Sequence, residues 1–164
     1  LSELSFDLIG TCLLEGSGHV EQRLAAESRS ETCMMPKAVA SLRPLPRGQV
    51  AAFVDTAPTV LLYTSDSVTA ASYRDPEALE DLYRLYTSTS PNAERIVRHR
   101  NIDYLLLCKN SPDYAYYMHS SDATGLIREL SIGEIPHWLN QRTSSGPMEV
   151  FEVRPLLNKS RVDN

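Results

Sequence analysis

The segment that most constrains the fold spans residues 45–75, LPRGQVAAFVDTAPTVLLYTSDSVTAASYRD. Two short apolar runs, residues 50–54 and 68–71, each lead into polar residues: the first into Asp55, the second into Tyr73, Arg74 and Asp75. The length of residues 56–64 between them allows strand or helix, and Pro58, suited to a first helical turn, favours helix. This is a strand–helix–strand unit. In such units ligands collect beyond the carboxyl ends of the strands. The pattern predicts where a site would lie before it says what chemistry happens there.

The flanking segments extend the alternation. Turn chemistry at Pro46-Arg47-Gly48 leads into a buried strand over 49–54, and residues 67–71 form the second strand. Asp75-Pro76-Glu77 is a helix start, with a capping Asp, proline at the first position and an acid in the first turn. Leu79, Leu82, Tyr83 and Tyr86 follow at i, i+3, i+4 and i+7 and predict one buried face. Ser90-Pro91 opens another helix, with Ile96 and Val97 inward and Arg95, Arg98 and Arg100 outward. Residues 103–108, DYLLLC, are the clearest strand. Residues 109–121 read as a polar, tyrosine-rich loop or lid. Asp122 is expected to cap a helix with Leu126, Ile127 and Leu130 inward, stopping near Gly133, and residues 148–153 alternate as a final strand. Upstream, the sequence predicts a strand near 5–9, a helix over 19–28 behind Ser17, and a short helix over 36–42. The fold class is α/β: a small three-layer domain with a largely parallel sheet of about four or five strands and flanking helices. A single domain over 1–155, with its core at 33–153, would end in a flexible tail over 156–164.

Composition narrows the function classes. A chain of 164 residues can bury a core without staples. The net charge of −5 lacks the basic footprint of a nucleic-acid binder. Arginine outnumbers lysine 13 to 3, which reads as genome composition bias. No run approaches the roughly 18 apolar residues of a membrane span. The start at Leu1, without methionine or leader, reads as a piece excised from something longer. Cys12, Cys33 and Cys108 form no CxxC pair, so zinc and thioredoxin-type chemistry lack a motif.

Candidate chemistry sits at the strand ends. Asp55 could orient a ligand hydroxyl, hold a metal through water, or cap the next helix. Arg74 could grip a phosphate or carboxylate bidentately, or form a salt bridge. Asp55, Thr64, Tyr73 and Arg74 line the predicted crevice. Cys108 ends a strand, but no local signature joins it to His99, His119 or His137 as base. The four histidines are too scattered for a metal site, and neither a phosphate-binding loop nor a dinucleotide-binding glycine pattern occurs. No cofactor or metal is expected. Tyr114, Tyr116 and Tyr117 could stack on a sugar or pack on their own domain, and Trp138 reads as an anchor at the core edge.

The order of segments resembles the soluble C-terminal domain of certain bacterial polytopic membrane proteins, grouped with glycosyltransferases that use lipid-phosphate sugars, such as the protein mannosyltransferases. The matching elements are Cys33, Leu45-Pro46-Arg47-Gly48-Gln49-Val50, Asp55-Thr56-Ala57-Pro58, Leu61-Leu62 with Thr64, Tyr73-Arg74-Asp75, the strand 103–108 ending in Cys108, and Gly133-Glu134-Ile135-Pro136-His137-Trp138-Leu139. Ala57 stands where the pattern has Gly, and the His and Asn expected beside Arg74 are absent. The resemblance implies a non-catalytic extracytoplasmic accessory domain on the periplasmic face of a bacterial inner membrane. It implies a Cys33–Cys108 disulfide, the membrane-embedded part of the same chain as partner, and a role in positioning a sugar or acceptor. The alternatives are a free-standing enzyme or small-molecule binder using the crevice around Asp55 and Arg74, and a pure interaction module.

Overall fold

The computed structural model describes Cys33, residues 36–70 and residues 75–156. The expected strand near 5–9, the helix over 19–28, Cys12, Tyr73 and Arg74 lie outside the described residues, as does most of the expected tail. A 3₁₀ helix, Pro36–Val39, precedes β1 (Gln49–Ala52), α1 (Ala57–Tyr63) and β2 (Ser67–Val68). Then come α2 (Pro76–Thr87), α3 (Ser90–His99), β3 (Tyr104–Cys108), α4 (Pro112–Ser120), α5 (Leu126–Ser131), β4 (Leu139–Ser145) and β5 (Met148–Val153). The fold is α/β, as the alternation predicts.

The five strands lie in the order β2-β1-β3-β5-β4. β2, β1 and β3 are parallel, and β5 and β4 add an antiparallel hairpin to β3. The sheet is therefore mixed. β4 has no counterpart in the sequence-based expectation. It is an edge strand, QRTSS after its first two residues, so it carries none of the apolar alternation that marks β5. The turn Gly146-Pro147, with Gly146 at φ 61°, is the signal that announces it.

Strand alternation feeds two cores. On one face Ala51, Phe53, Leu105, Leu107 and Phe151 meet Leu82, Leu85, Tyr86, Val97, Leu126 and Ile127 from α2, α3 and α5. On the other, Val50, Ala52, Leu106, Cys108 and Val150 meet Val39, Leu42 and Val60. The capping prediction for α2 holds: Asp75 Oδ1 accepts from the Ala78 N–H at 2.9 Å. Its buried face is turned slightly from the expected one. Ala78, Leu82, Leu85 and Tyr86 are buried, while Leu79 and Tyr83 pack half-exposed at the margin. Of the arginines expected to point outward from α3, only Arg95 does so fully. Arg98 pairs with Glu94 at 3.0 Å, and Arg100 with Asp81 of α2 at 2.6 Å. α3 ends with Asn101 in the left-handed region (φ 53°) and the Ile102 N–H bonded back to the Val97 carbonyl at 3.0 Å, a helix stop in which Asn stands where glycine is usual.

Two local expectations need correction. Residues 109–121 are not a loop or lid; they contain α4. Its start, Ser111-Pro112-Asp113, repeats the chemistry of Asp75-Pro76-Glu77, and Ser111 Oγ accepts from the Tyr114 N–H at 3.0 Å. The polar surface of this helix masks its period. Nor does the Asp122 side chain cap α5. Its carbonyl accepts from the Gly125 N–H at 3.0 Å, and Gly125 occupies the cap position. Trp138 is 2% exposed and donates from Nε1 to Ser90 Oγ at 2.9 Å, an anchor between the hairpin and α3.

The Cys33–Cys108 disulfide is present, with Cα atoms 6.0 Å apart and a separation of 75 residues. It staples the face that, among the described residues, carries α1 and the 3₁₀ helix. Closing a loop of that size in the unfolded chain is worth about 4 kcal/mol on chain-entropy grounds. The Cys33→Ser/Cys108→Ser double variant should therefore lose several kcal/mol of stability, read as a lower Tm under non-reducing conditions. An unchanged Tm would count against the bridge. Gly125 supplies a second check. A Cβ there would lie 2.6 Å from the Thr87 carbonyl oxygen, where the start of α5 meets the end of α2. Gly125→Ala should cost about 1–3 kcal/mol by overpacking, measured by urea denaturation.

Candidate functional site

The order β2-β1-β3 creates a switch point. From β1 the chain passes to β2 through α1 on one face, then returns to the other side of β1 through α2 and α3 on the opposite face. The connections diverge between β1 and β3, and the crevice of an open parallel sheet opens beyond the carboxyl ends of such a pair. Asp55 follows β1 at this place. Ser111 and Asp113 follow β3. The two loops are joined there, since the Asp55 backbone N–H donates to Asp113 Oδ2 at 3.2 Å.

Asp55 does not cap α1. Thr56 holds the cap position without a side-chain bond to the helix, and its hydroxyl donates to Asp55 Oδ1 at 2.9 Å. Asp55 Oδ2 is buried and makes no hydrogen bond of ordinary length. Burial, and then the charge of Asp113, push the Asp55 carboxyl up from its ordinary value of 3.8. The Thr56 and Ser111 hydroxyls and the Asp113 backbone oppose the shift.

An aromatic cluster adjoins the pair. Tyr117 stacks on Phe53 with ring centroids 5.3 Å apart and packs against Tyr86 at 5.5 Å. Tyr86 is wholly buried and donates to the Ala51 carbonyl at 2.8 Å. Burial holds the Tyr117 hydroxyl far above its usual range, with Asp113, Tyr116, Asp55 and Tyr83 adding to the shift. Tyr116 stands edge-on to Tyr117 at 5.6 Å and is 59% exposed.

Of the residues expected in the crevice, Asp55 is there. Thr64 is not beside it. Thr64 closes the far end of α1, accepting from the Asp66 N–H at 3.1 Å and donating to the Val60 carbonyl at 2.8 Å, at the amino-terminal edge of the sheet. Tyr73 and Arg74 lie outside the described residues. Sequence reasoning missed Ser111 and Asp113, which the helix-start pattern at Ser111-Pro112 could have located. Cys108 is engaged in the disulfide and offers no thiol nucleophile. Among the described residues no three His, Cys, Asp or Glu side chains gather as a metal site. What the crevice offers is a set of acceptors, Asp55 and Asp113, with an exposed tyrosine ring one turn along α4. That set suits the hydroxyls and apolar face of a polyol.

Asp55 has a folded pKa above its unfolded one. Its contribution to stability is full below the unfolded value and is lost as pH rises through the raised folded value. Asp55→Asn should therefore raise stability at neutral pH relative to wild type, with the gain shrinking on acidification toward pH 3.8. Asp113→Asn should lower the Asp55 titration midpoint seen by carboxyl NMR; an unmoved midpoint would rule out the coupling.

No protein-family model and no curated protein matches the sequence. Among solved structures, the chain is similar to the C-terminal globular domain of an oligosaccharyltransferase from Archaeoglobus fulgidus. The two share 13% identity at a TM-score of 0.53, over 66% of this chain and 81% of that one. A second C-terminal globular domain of oligosaccharyltransferase from the same organism aligns at 15% identity and a TM-score of 0.47, over 81% and 94% of the two chains. At 13% identity the first of these likenesses shows the fold alone.

Proposed function

We propose that this chain is a non-catalytic, extracytoplasmic accessory domain of a multi-pass membrane protein of the lipid-linked-sugar glycosyltransferase kind. The fold likeness to the globular domain of an oligosaccharyltransferase carries the proposal. The disulfide supports it, because such bridges persist in oxidising compartments outside the cytoplasm. The periplasmic face of a bacterial inner membrane and a protein-mannosyltransferase-like parent are the finer form, resting on the segment order around Leu45-Pro46 and Pro136-Trp138. The partner is the membrane-embedded part of the same chain, and the domain's task is to position a sugar or acceptor.

One observation favours a second reading, a free-standing small-molecule binder. The Asp55–Asp113 pair sits at the switch point of the sheet, with the Asp55 carboxyl half-buried and pushed up from its ordinary value by burial and by Asp113. Protease protection separates the two. In spheroplasts expressing the full-length gene product, added protease should remove an epitope tag on this domain without detergent, and the tagged chain should fractionate with membranes. Protection until the membrane is opened would overturn the extracytoplasmic placement. Recovery in the soluble fraction would favour the free-standing binder.

A further inference from the structure

The amino-terminal edge of the sheet carries a surface that the crevice does not use. The last turn of α1 exposes three consecutive apolar residues: Leu61 at 48%, Leu62 at 72% and Tyr63 at 38%. Its inner residues Ala57, Thr59 and Val60 are buried, so the helix is seated and its tip still projects. Beside the tip runs a cleft of about 460 Å³, lined by Leu42, Arg43, Leu45, Arg47, Leu62 and Tyr63 and closed by Thr64, Ser65 and Asp66. Arg43 and Arg47 are exposed and form no ion pair among the described residues. Lys37, on the 3₁₀ helix packed against α1, is likewise exposed. The acids of this edge are Asp66 and Asp103. Each is tied to the backbone, accepting from the Gly48 N–H at 3.0 Å and the Gln49 N–H at 2.8 Å. Among the described residues of this edge three cations thus face two carboxylates, an excess of positive charge on a chain whose net charge is −5.

We infer that this edge docks on an anionic phospholipid surface, with Leu61, Leu62 and Tyr63 entering the headgroup boundary and Arg43 and Arg47 meeting lipid phosphates. The chemistry fits: apolar tips flanked by arginines whose stems lie along apolar surface are how a folded domain engages a bilayer interface. Patch size argues against a protein partner. Three exposed residues fall well short of the roughly 800 Å² per side of a stable interface. The inference rests on the reading of the chain as part of a membrane protein only for which membrane is at hand. Vesicle binding reports docking alone and protease protection reports sidedness, so either can fail without the other.

The test is co-sedimentation of the 164-residue chain with vesicles of phosphatidylcholine alone and of phosphatidylcholine mixed equally with phosphatidylglycerol. Binding is expected to the mixed vesicles, weakening as salt is raised. Neutralising two arginines near such a surface removes about 1 kcal/mol each, so Arg43→Gln/Arg47→Gln should bind about thirtyfold more weakly. Leu62→Ser should weaken binding by about tenfold or more. These side chains are exposed, so circular dichroism and Tm should match wild type and keep a loss of binding interpretable. Absence of binding to mixed vesicles, or binding that neither variant weakens, would overturn the inference. So would a concentration-dependent dimer that Leu62→Ser abolishes, since the patch would then belong to a second copy.

Discussion

β3 is the strand on which the rest of the structure depends. Its five residues, Tyr104–Cys108, are all buried. It pairs with β1 in parallel and with β5 in antiparallel register, so its backbone bonds serve both halves of the sheet. A strand covered on both faces cannot carry charge, and DYLLLC places its one carboxylate just outside, at Asp103. Alternate residues feed the two cores, Leu105 and Leu107 on one side, Tyr104 and Leu106 on the other. The same strand ends in the disulfide and hands the chain to α4. The β1–β3 register therefore decides that Asp113 returns over the end of β1 to meet Asp55. The candidate crevice follows from the pairing of two central strands.

The two faces of the sheet are unequal. Four helices cover one, with a cluster of large aromatics around Phe53 and Tyr86. Among the described residues the other is covered by the seven residues of α1, a 3₁₀ helix and Cys33. The cross-link from Cys33 to Cys108 ties this face to the end of β3 and restricts the unfolded chain. The short helix also explains the projecting tip. α1 runs one layer over the sheet edge, and once Val60 is buried nothing in the described fold lies beyond it to cover Leu62.

What was legible in the sequence follows the same physics. β1, β3, α2 and α3 carry strong local signals, because uncharged runs and Asp-Pro or Ser-Pro starts need little tertiary help to be read. The unread elements are β4, whose identity depends on neighbours, and α4, whose Ser-Pro start is followed by no apolar period. β4 is polar because it is an edge, and α4 is polar because only Tyr117 among its residues is fully buried. Half of the candidate crevice went with α4: Asp55 is legible at the end of an apolar run, whereas Asp113 becomes its partner only through sheet pairing. Thr64 was grouped with Asp55 because both flank one short segment. A helix of seven residues carries its two ends to opposite edges of a parallel sheet.

That opposition has a consequence for what the crevice could serve. Leu62 and Arg47 lie at the amino-terminal edge of the parallel strands, Asp55 and Asp113 beyond the carboxyl ends. Strands of four or five residues separate the two by roughly 15 Å at about 3.3 Å per residue. If the first edge rests on lipid, the crevice opens away from the bilayer. A sugar still attached to its lipid phosphate would then lie on the wrong side of the domain. The carboxylate pair would instead meet hydroxyl-bearing molecules arriving from the aqueous side. On that geometry the crevice would suit an acceptor better than the lipid-linked donor of the proposed parent.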